Sequence, residues 1–187
     1  IRIKRSKFKL HYFRYQKQLK KLVAACDLIY AQGPVSSGLP ASKVARKLNK
    51  KLVVKVVGDY AWEQARNSGK TDIGIDEFQN KEFGGKVGLL QKTERQVCNS
   101  ADKVIVPSQY LKKIVIGWGV EENKVEVIYN AVSVATTKRP LDLKSKLIVS
   151  IGRLVNWKGF DALIEIMQEL AKEDYRLLIL GDGPDKE

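Results

Sequence analysis

The feature that most constrains this chain is the regular alternation of short apolar runs with segments of helical periodicity. The runs are rich in Val, Ile and Leu and are almost continuously apolar, which is typical of parallel strands covered by helices on both faces. Short connections that carry Gly, Pro or Ser separate the runs from the helical segments. The sequence therefore predicts an α/β protein with a doubly wound parallel sheet. The predicted strands are Leu28–Ala31, Leu52–Val57, Lys103–Val106, Val125–Tyr129, Leu147–Ile151 and Leu177–Leu180, and the predicted helices between them are Pro40–Asn49, Lys86–Ser100, Ser108–Gly117 and Phe160–Leu170.

Two stretches interrupt this alternation. Residues 59–85 are less regular, because several glycines break any long pattern. Residues 133–146 are polar and turn-prone, which predicts a linker between a domain at 1–132 and the beginning of a second domain at 147–187. We expect the sequence to be a fragment, since the first domain lacks an opening strand and the second holds one βαβ unit, too little to fold alone.

The charge of the chain is concentrated at its start. The formal net charge is +13, and no acidic residue precedes Asp27. Phe8–Cys26 has the periodicity of an amphipathic helix, with one apolar stripe and cations over much of the remaining surface. One interpretation is an element that lies on an anionic membrane surface through residues 1–25; the other is a helix packed on the sheet with a solvated basic face. The cations are Arg2, Lys4, Arg5, Lys7, Lys9, Arg14, Lys17, Lys20 and Lys21, and the stripe is Phe8, Tyr12, Tyr15, Leu19, Leu22 and Cys26.

The remaining composition excludes several classes of protein. No apolar run approaches the length that crosses a bilayer, and the basic start is not followed by the apolar core of a secretion signal. Two cysteines and one histidine, His11, build neither a zinc site nor a Ser-His-Asp set, so we expect no metal and no other cofactor. No nucleic-acid-binding motif accompanies the charge, and we expect no nucleic acid. We expect a reduced, cytoplasmic location, peripheral on the inner face of the membrane.

The sharpest local motif is Gly152-Arg153-Leu154-Val155-Asn156-Trp157-Lys158-Gly159, which joins a predicted buried strand to a helix. Ligands of open α/β sheets bind at this end of a strand, and backbone N–H groups at a helix start attract anions. Arg153 and Lys158 predict a diphosphate site that needs no metal; the alternative is two solvated cations on a loop.

A second turn between strand and helix follows at Gly181-Asp182-Gly183-Pro184, and with Gly152 it forms a candidate ligand-binding loop. Its glycines lack the spacing of a dinucleotide-binding fingerprint, and the alternative is a tight turn that leads into a helix.

Polar and aromatic residues follow the first two predicted strands of the first domain. Asp59, Tyr60 and Glu63 come after one strand, and Gln32 and Gly33 after the other. Rings beside carboxylates suit a sugar or an aglycone, because they combine stacking with acceptors for hydroxyl groups. These five residues are therefore candidates for a sugar-binding site, and packing within the fold is the alternative for the aromatic ones.

Together, these motifs resemble a family, the retaining glycosyltransferases of family GT4 (group 1), which have the GT-B fold of two Rossmann-like domains. The resemblance covers nearly the whole chain from Asp27 and rests on the order of six pieces. They are Asp27–Gly33, Val56–Glu63 (VVGDYAWE), Val104–Leu111 (VIVPSQYL), Val125–Val132 (VEVIYNAV), Val149–Gly159 (VSIGRLVNWKG) and Leu178–Pro184 (LILGDGP).

The resemblance implies a GT-B-like chain with a partial Rossmann-like N-terminal domain, which binds the acceptor, and the first βαβ unit of a nucleotide-sugar-binding domain. It implies that the candidate acceptor-side residues are Gln32, Gly33, Asp59, Tyr60 and Glu63, and that the candidate donor-side loop consists of Gly152, Gly181, Asp182 and Gly183. It implies metal-independent transfer of a hexose from a nucleotide diphosphate-sugar to a lipid-linked or glycan acceptor, with Arg153 and Lys158 on the donor diphosphate. Such enzymes make glycolipids, polysaccharides and cell-envelope glycans. The family's E-x7-E element has no counterpart within these residues, so the catalytic residues stay unknown.

Two alternatives remain open at this point. One is a nucleotide-sugar epimerase that shares the fold and the phosphate loop. The other is a non-catalytic basic module that binds an anionic membrane or nucleic acid through residues 1–25.

Overall fold

The computed structural model describes residues 10–133 and 146–186 of the chain, with side chains from Arg14 onward. The first nine residues of the basic segment and residues 134–145 of the predicted linker lie outside this description. The chain divides into two compact units, Ile1–Val132 and Ser133–Glu187, which are called unit 1 and unit 2 below.

Unit 1 is built on a four-stranded, fully parallel sheet in the order β1-β2-β3-β4. The two central strands carry fully buried apolar residues such as Val54 and Val104, which explains their apolar runs, whereas the edge strand Leu28–Gln32 alternates and exposes Leu28 and Tyr30. Consecutive strands lie side by side, with helical connections between them. The strands are β1 Leu28–Gln32, β2 Lys51–Lys55, β3 Lys103–Val106 and β4 Val125–Val127.

Six α-helices accompany the sheet in the described part of unit 1. A five-residue π-helical turn, Pro34–Gly38, runs directly into the second of them, and Ser108 caps the sixth by accepting a hydrogen bond from the backbone N–H of Leu111, as its position predicts. The helices are α1 Leu10–Val23, α2 Leu39–Leu48, α3 Tyr60–Asn67, α4 Ile75–Gln79, α5 Gly85–Asn99 and α6 Gln109–Gly117.

The helix predicted over Phe8–Cys26 is present as α1, but the buried stripe predicted for it is wrong at its end. Leu19 and Val23 are buried and Tyr15 packs on the same core, whereas Leu22 and Cys26 are exposed. The buried face thus follows a spacing of four residues and stops with the helix at Val23.

The less regular stretch 59–85 contains two short helices that the sequence did not predict. Helices α3 and α4 lie in this stretch and bury Ala61, Ala65 and Phe78 in a second, smaller core. Both helices are short, and two of their buried side chains are alanines, so they leave little apolar periodicity in the sequence.

Unit 2 holds one βαβ unit. Strand β5 Lys146–Ile151 pairs in parallel with β6 Tyr175–Leu180, and helix α7 Phe160–Leu170 connects them. Val149, Ile151, Leu178 and Leu180 are exposed and share one face of this sheet, while the alternating residues Leu177 and Ile179 are half-buried.

None of the helices in the described part of the chain combines the length and the apolar character that crossing a bilayer requires.

Candidate functional site

The motif from Gly152 to Gly159 lies where β5 ends. The backbone leaves the strand, makes a 3₁₀ turn over Asn156–Lys158, and passes through Gly159, whose φ of +67° is a conformation that favours glycine. Helix α7 begins at Phe160 without a side-chain cap, so its first backbone N–H groups have no acceptor from a capping residue. Lys158 lies at the end of this 3₁₀ turn, two residues before the helix begins.

The two cations of this loop are exposed and available to a ligand. Arg153 and Lys158 both have solvent-exposed side chains. No carboxylate among the described residues forms an ion pair with either of them. A guanidinium, an ammonium and uncapped helix N–H groups on one short loop have the donor chemistry that phosphate oxygens accept.

The glycine-rich turn at 181–184 supports this loop by direct backbone contact. The N–H of Gly152 donates to the carbonyl of Leu180 at 3.0 Å, and the N–H of Leu154 donates to the carbonyl of Asp182 at 3.1 Å. A Cβ on Gly181 would lie 1.8 Å from the carbonyl oxygen of Gly152, and one on Gly183 would lie 1.9 Å from that of Leu154. The two glycines are therefore required for the close approach of two backbones.

Asp182 lies on the outer side of the same turn. Its side chain is exposed and pairs with Lys186 at 3.5 Å. In this conformation its contribution to the loop is the backbone carbonyl, and a role of the carboxylate toward a ligand stays a prediction.

In unit 1, four of the five candidate acceptor-side residues line one cavity of about 160 Å³ at the ends of β1 and β2. They are Gln32, Gly33, Tyr60 and Glu63. Gly33 has a φ of +100°, which turns the chain from β1 into the π-helical turn, and its N–H donates to the carbonyl of Lys55. The topology thus brings two loops that are far apart in sequence to the same edge of the sheet.

Asp59, the fifth candidate, is buried beneath this cavity instead of lining it. Its side chain is 2% exposed and accepts hydrogen bonds from the N–H of Trp62 at 2.7 Å and from Nε2 of Gln79 at 2.9 Å. Asp59 is the N-cap of α3, so it fixes the helix that carries Tyr60 and Glu63.

Sequence reasoning missed the partner of Asp59. Glu94, in the middle of α5, is 1% exposed, and its two oxygens accept hydrogen bonds from the backbone N–H groups of Tyr60 at 2.8 Å and Ala61 at 3.1 Å. Burial and, second, the charge of Asp59 raise the pKa of Glu94 to about 9. Burial also raises the pKa of Asp59, while its hydrogen bonds oppose that change. At neutral pH the pair therefore holds a proton on Glu94.

Gln79 extends this buried polar network to α6. Its Oε1 accepts a hydrogen bond from Nε1 of Trp118 at 2.8 Å, while its Nε2 donates to Asp59. The start of α3 is thereby tied to three other helices, α4, α5 and α6. No local motif in the sequence indicates Gln79 or Glu94, because their partners lie 20 to 39 residues away.

Comparisons with known proteins concern the family and the fold of the chain. The model of the family described as Glycosyltransferase Family 4 matches residues 1–136, and that of Glycosyl transferases group 1 matches residues 134–187. An uncharacterized glycosyltransferase of Haemophilus influenzae is 36% identical over 67 residues, which are 35% of this chain and 19% of that protein. Protein CapJ of Staphylococcus aureus is 25% identical over 188 residues, covering 93% of this chain and 43% of CapJ.

Among solved structures, the Anabaena protein HepE in complex with UDP and glucose superimposes with a TM-score of 0.67 at 16% identity, over 96% of this chain and 46% of HepE. At this identity the likeness concerns the fold, and it confirms the predicted α/β, GT-B-like class with partial Rossmann-like domains. The chain spans less than half the length of each of these relatives.

Proposed function

The chain belongs to Glycosyltransferase Family 4, and from this premise we propose that it transfers a sugar from a nucleotide diphosphate-sugar to an acceptor hydroxyl with retention of configuration. We place this transfer in the synthesis of a glycolipid, a polysaccharide or a cell-envelope glycan, with a hexose as the transferred sugar. Unit 2 binds the donor in this proposal, and unit 1 binds a lipid-linked or glycan acceptor.

The observation that carries the proposal is the loop at the end of β5. Arg153 and Lys158 supply two positive charges beside the uncapped start of α7, and the turn at 181–184 holds the loop in place. In transfer from a nucleotide diphosphate-sugar, negative charge develops on the leaving diphosphate. Cations that are already in position stabilise this charge in the transition state, and they do so without a metal.

The acceptor side of the proposal rests on the cavity at the ends of β1 and β2. Tyr60 offers a ring for stacking against a sugar, and Gln32 and Glu63 offer side-chain oxygens to hydroxyl groups. Asp59 supports this surface from below, through its cap on α3.

For the location of the protein we propose a cytoplasmic enzyme that binds the inner face of a membrane. The described part of the basic segment supports this: Arg14, Lys17, Lys20 and Lys21 are all exposed on α1, while Leu19 and Val23 hold the helix on the core. The two interpretations of this helix are therefore compatible, since its apolar face packs and its basic face stays available to anionic lipids.

Calorimetric titration with pyrophosphate, UDP and GDP tests the donor site directly. We expect the double variant Arg153→Ala/Lys158→Ala to lose roughly 3 kcal/mol or more of binding free energy, because each charge-assisted hydrogen bond contributes about 1.5–3 kcal/mol. The matched control is Lys172→Ala/Arg176→Ala, which removes the same charge from the opposite edge of the unit 2 sheet. Equal affinity in the two double variants would refute the assignment.

A transfer assay with a panel of UDP- and GDP-sugars then tests the activity. Transfer releases a nucleoside diphosphate and yields an acceptor-linked sugar of retained configuration. An epimerase converts the donor in the absence of any acceptor, so analysis of the sugar product separates the proposal from this alternative.

A further inference from the structure

A groove of about 510 Å³ opens on the surface of unit 1, a volume typical of small-molecule sites. Its walls come from the π-helical turn and from helices α2 and α5, and they are mostly apolar. Leu89 lies on one wall and is 64% exposed, so a large apolar side chain faces open space there. The apolar lining residues are Val35, Leu39, Pro40, Leu89 and Leu90.

Two cations stand on the lining of this groove. Lys43 projects from α2 and Lys86 from α5, and both are exposed. Within the described part of the chain neither forms an ion pair, and no acidic side chain lines the groove. The remaining polar lining residues, Gln16, Ser36 and Thr93, are uncharged. The groove therefore suits a ligand that is apolar over most of its length and negatively charged at one point.

The groove adjoins the cavity that holds the candidate acceptor-side residues. Val35, Ser36 and Tyr60 line both spaces. A ligand that fills the groove thus reaches the residues at the ends of β1 and β2.

We propose that this groove binds the hydrocarbon chain of a phosphate-bearing amphiphile, with Lys43 and Lys86 paired to its phosphate oxygens. Leu89 and its apolar neighbours then bury the chain, and the adjoining cavity receives the polar end that follows the phosphate. The identification of this amphiphile as the sugar acceptor rests on the proposed function. The binding of the amphiphile by the groove is independent of that function.

A series of alkyl phosphates with eight, ten and twelve carbons, titrated below their micellar concentrations, tests the groove. Each methylene that the groove buries strengthens binding up to about fourfold, the equivalent of ~0.8 kcal/mol. We expect Leu89→Asp to abolish this dependence on chain length. Leu22→Asp is the matched control, because Leu22 is also an exposed helical leucine, at 56%, and lies outside the groove.

The contribution of the positive charge in the groove is tested with two lysine substitutions on α5. Lys86→Glu should weaken dodecyl phosphate about tenfold, the lower end of the effect of a charge-assisted hydrogen bond, and leave dodecyl maltoside, which is neutral, unaffected. Lys92→Glu, an exposed lysine of the same helix outside the groove, should change neither affinity. Lys86 is in the first turn of α5, where an acid is favoured by the helix dipole, so a loss of binding does not reflect a weakened helix.

The titrations are repeated in the Arg153→Ala/Lys158→Ala background, which removes any binding of phosphate by unit 2. Equal chain-length dependence in Leu89→Asp and Leu22→Asp would overturn the groove assignment. So would sedimentation showing a dimer that Leu89→Asp dissociates, since the groove would then be occupied by a second copy. Failure of sugar transfer with intact alkyl phosphate binding would instead refute the proposed function and leave the groove assignment standing.

Discussion

Unit 1 should lose stability as the pH rises from 6 to 8, because Glu94 keeps its proton only in the folded protein. Its carboxyl group is 1% exposed, it faces the carboxylate of Asp59, and its pKa is raised to about 9 by burial and by that charge. In the unfolded chain a glutamate titrates near 4.3. Between these two values the folded state binds one more proton than the unfolded state, so the free energy of unfolding falls with rising pH.

The size of the effect follows from this one proton. The free energy of unfolding changes by about 1.4 kcal/mol per pH unit while Glu94 is protonated in the folded state and ionised in the unfolded state. Over the two units from pH 6 to pH 8 the loss is therefore about 2.7 kcal/mol. This contribution is complete below the unfolded pKa and exhausted above about pH 9.

Urea denaturation of the wild type and of Glu94→Gln at pH 6, 7 and 8 measures this contribution. The amide keeps an acceptor for the N–H of Tyr60 but turns a donor toward the N–H of Ala61, which costs roughly 1 kcal/mol at pH 6. Because the amide does not titrate, the variant should overtake the wild type before pH 8. The control, Glu126→Gln, changes an exposed glutamate of β4 and should follow the wild type. If the free energies of unfolding of the wild type and of Glu94→Gln changed with pH in parallel, the protonated state of Glu94 would be refuted.

Two further predictions concern unit 2. Gly183→Ala should raise amide hydrogen exchange at 152–159 and destabilise this loop by about 1–3 kcal/mol, because the new methyl group meets the Leu154 carbonyl. The control is Gly117→Ala in α6, where a Cβ has no neighbour within 4 Å, and it should leave exchange at 152–159 unchanged. Removal of divalent cations with EDTA should leave pyrophosphate binding by unit 2 unchanged, since Arg153 and Lys158 carry the charge; a loss of binding that Mg²⁺ restores would contradict metal independence.

The strands could be predicted because their signal is local. A strand buried on both faces needs apolar residues at nearly every position, and Val53, Val54 and Val56 satisfy that need within a few residues of chain. The order of strands and helices then restricts the topology to a parallel sheet, and the ends of β1 and β2 meet at one edge. For this reason Gln32 and Tyr60 could be placed near each other before any coordinates were known.

The network beneath that edge could not be predicted in the same way. Glu94 lies on an amphipathic helix, where an acid ordinarily marks the solvated face. What buries it is the start of α3, whose two N–H groups need acceptors and lie more than thirty residues away. Asp59 acts as the N-cap of α3, whereas an acidic residue at the end of a buried strand indicates a ligand site, which is the role that the sequence predicted for it.

The turn at 181–184 shows how one pattern of glycines serves two purposes. By itself, Gly181-Asp182-Gly183 is consistent with a tight turn. In the structure each of the two glycines lies so close to a backbone carbonyl that a side chain at its position would collide with it. Yet the carbonyls belong to Gly152 and Leu154, which flank Arg153 on both sides. The turn therefore fixes the backbone from which the guanidinium projects, and an anion bound there depends on glycines that never need to contact it. The structural role of the glycines thus serves the binding role of the loop. A cation stabilises a developing charge best when its position is set before the charge appears, and the glycines set the position of the backbone that carries Arg153.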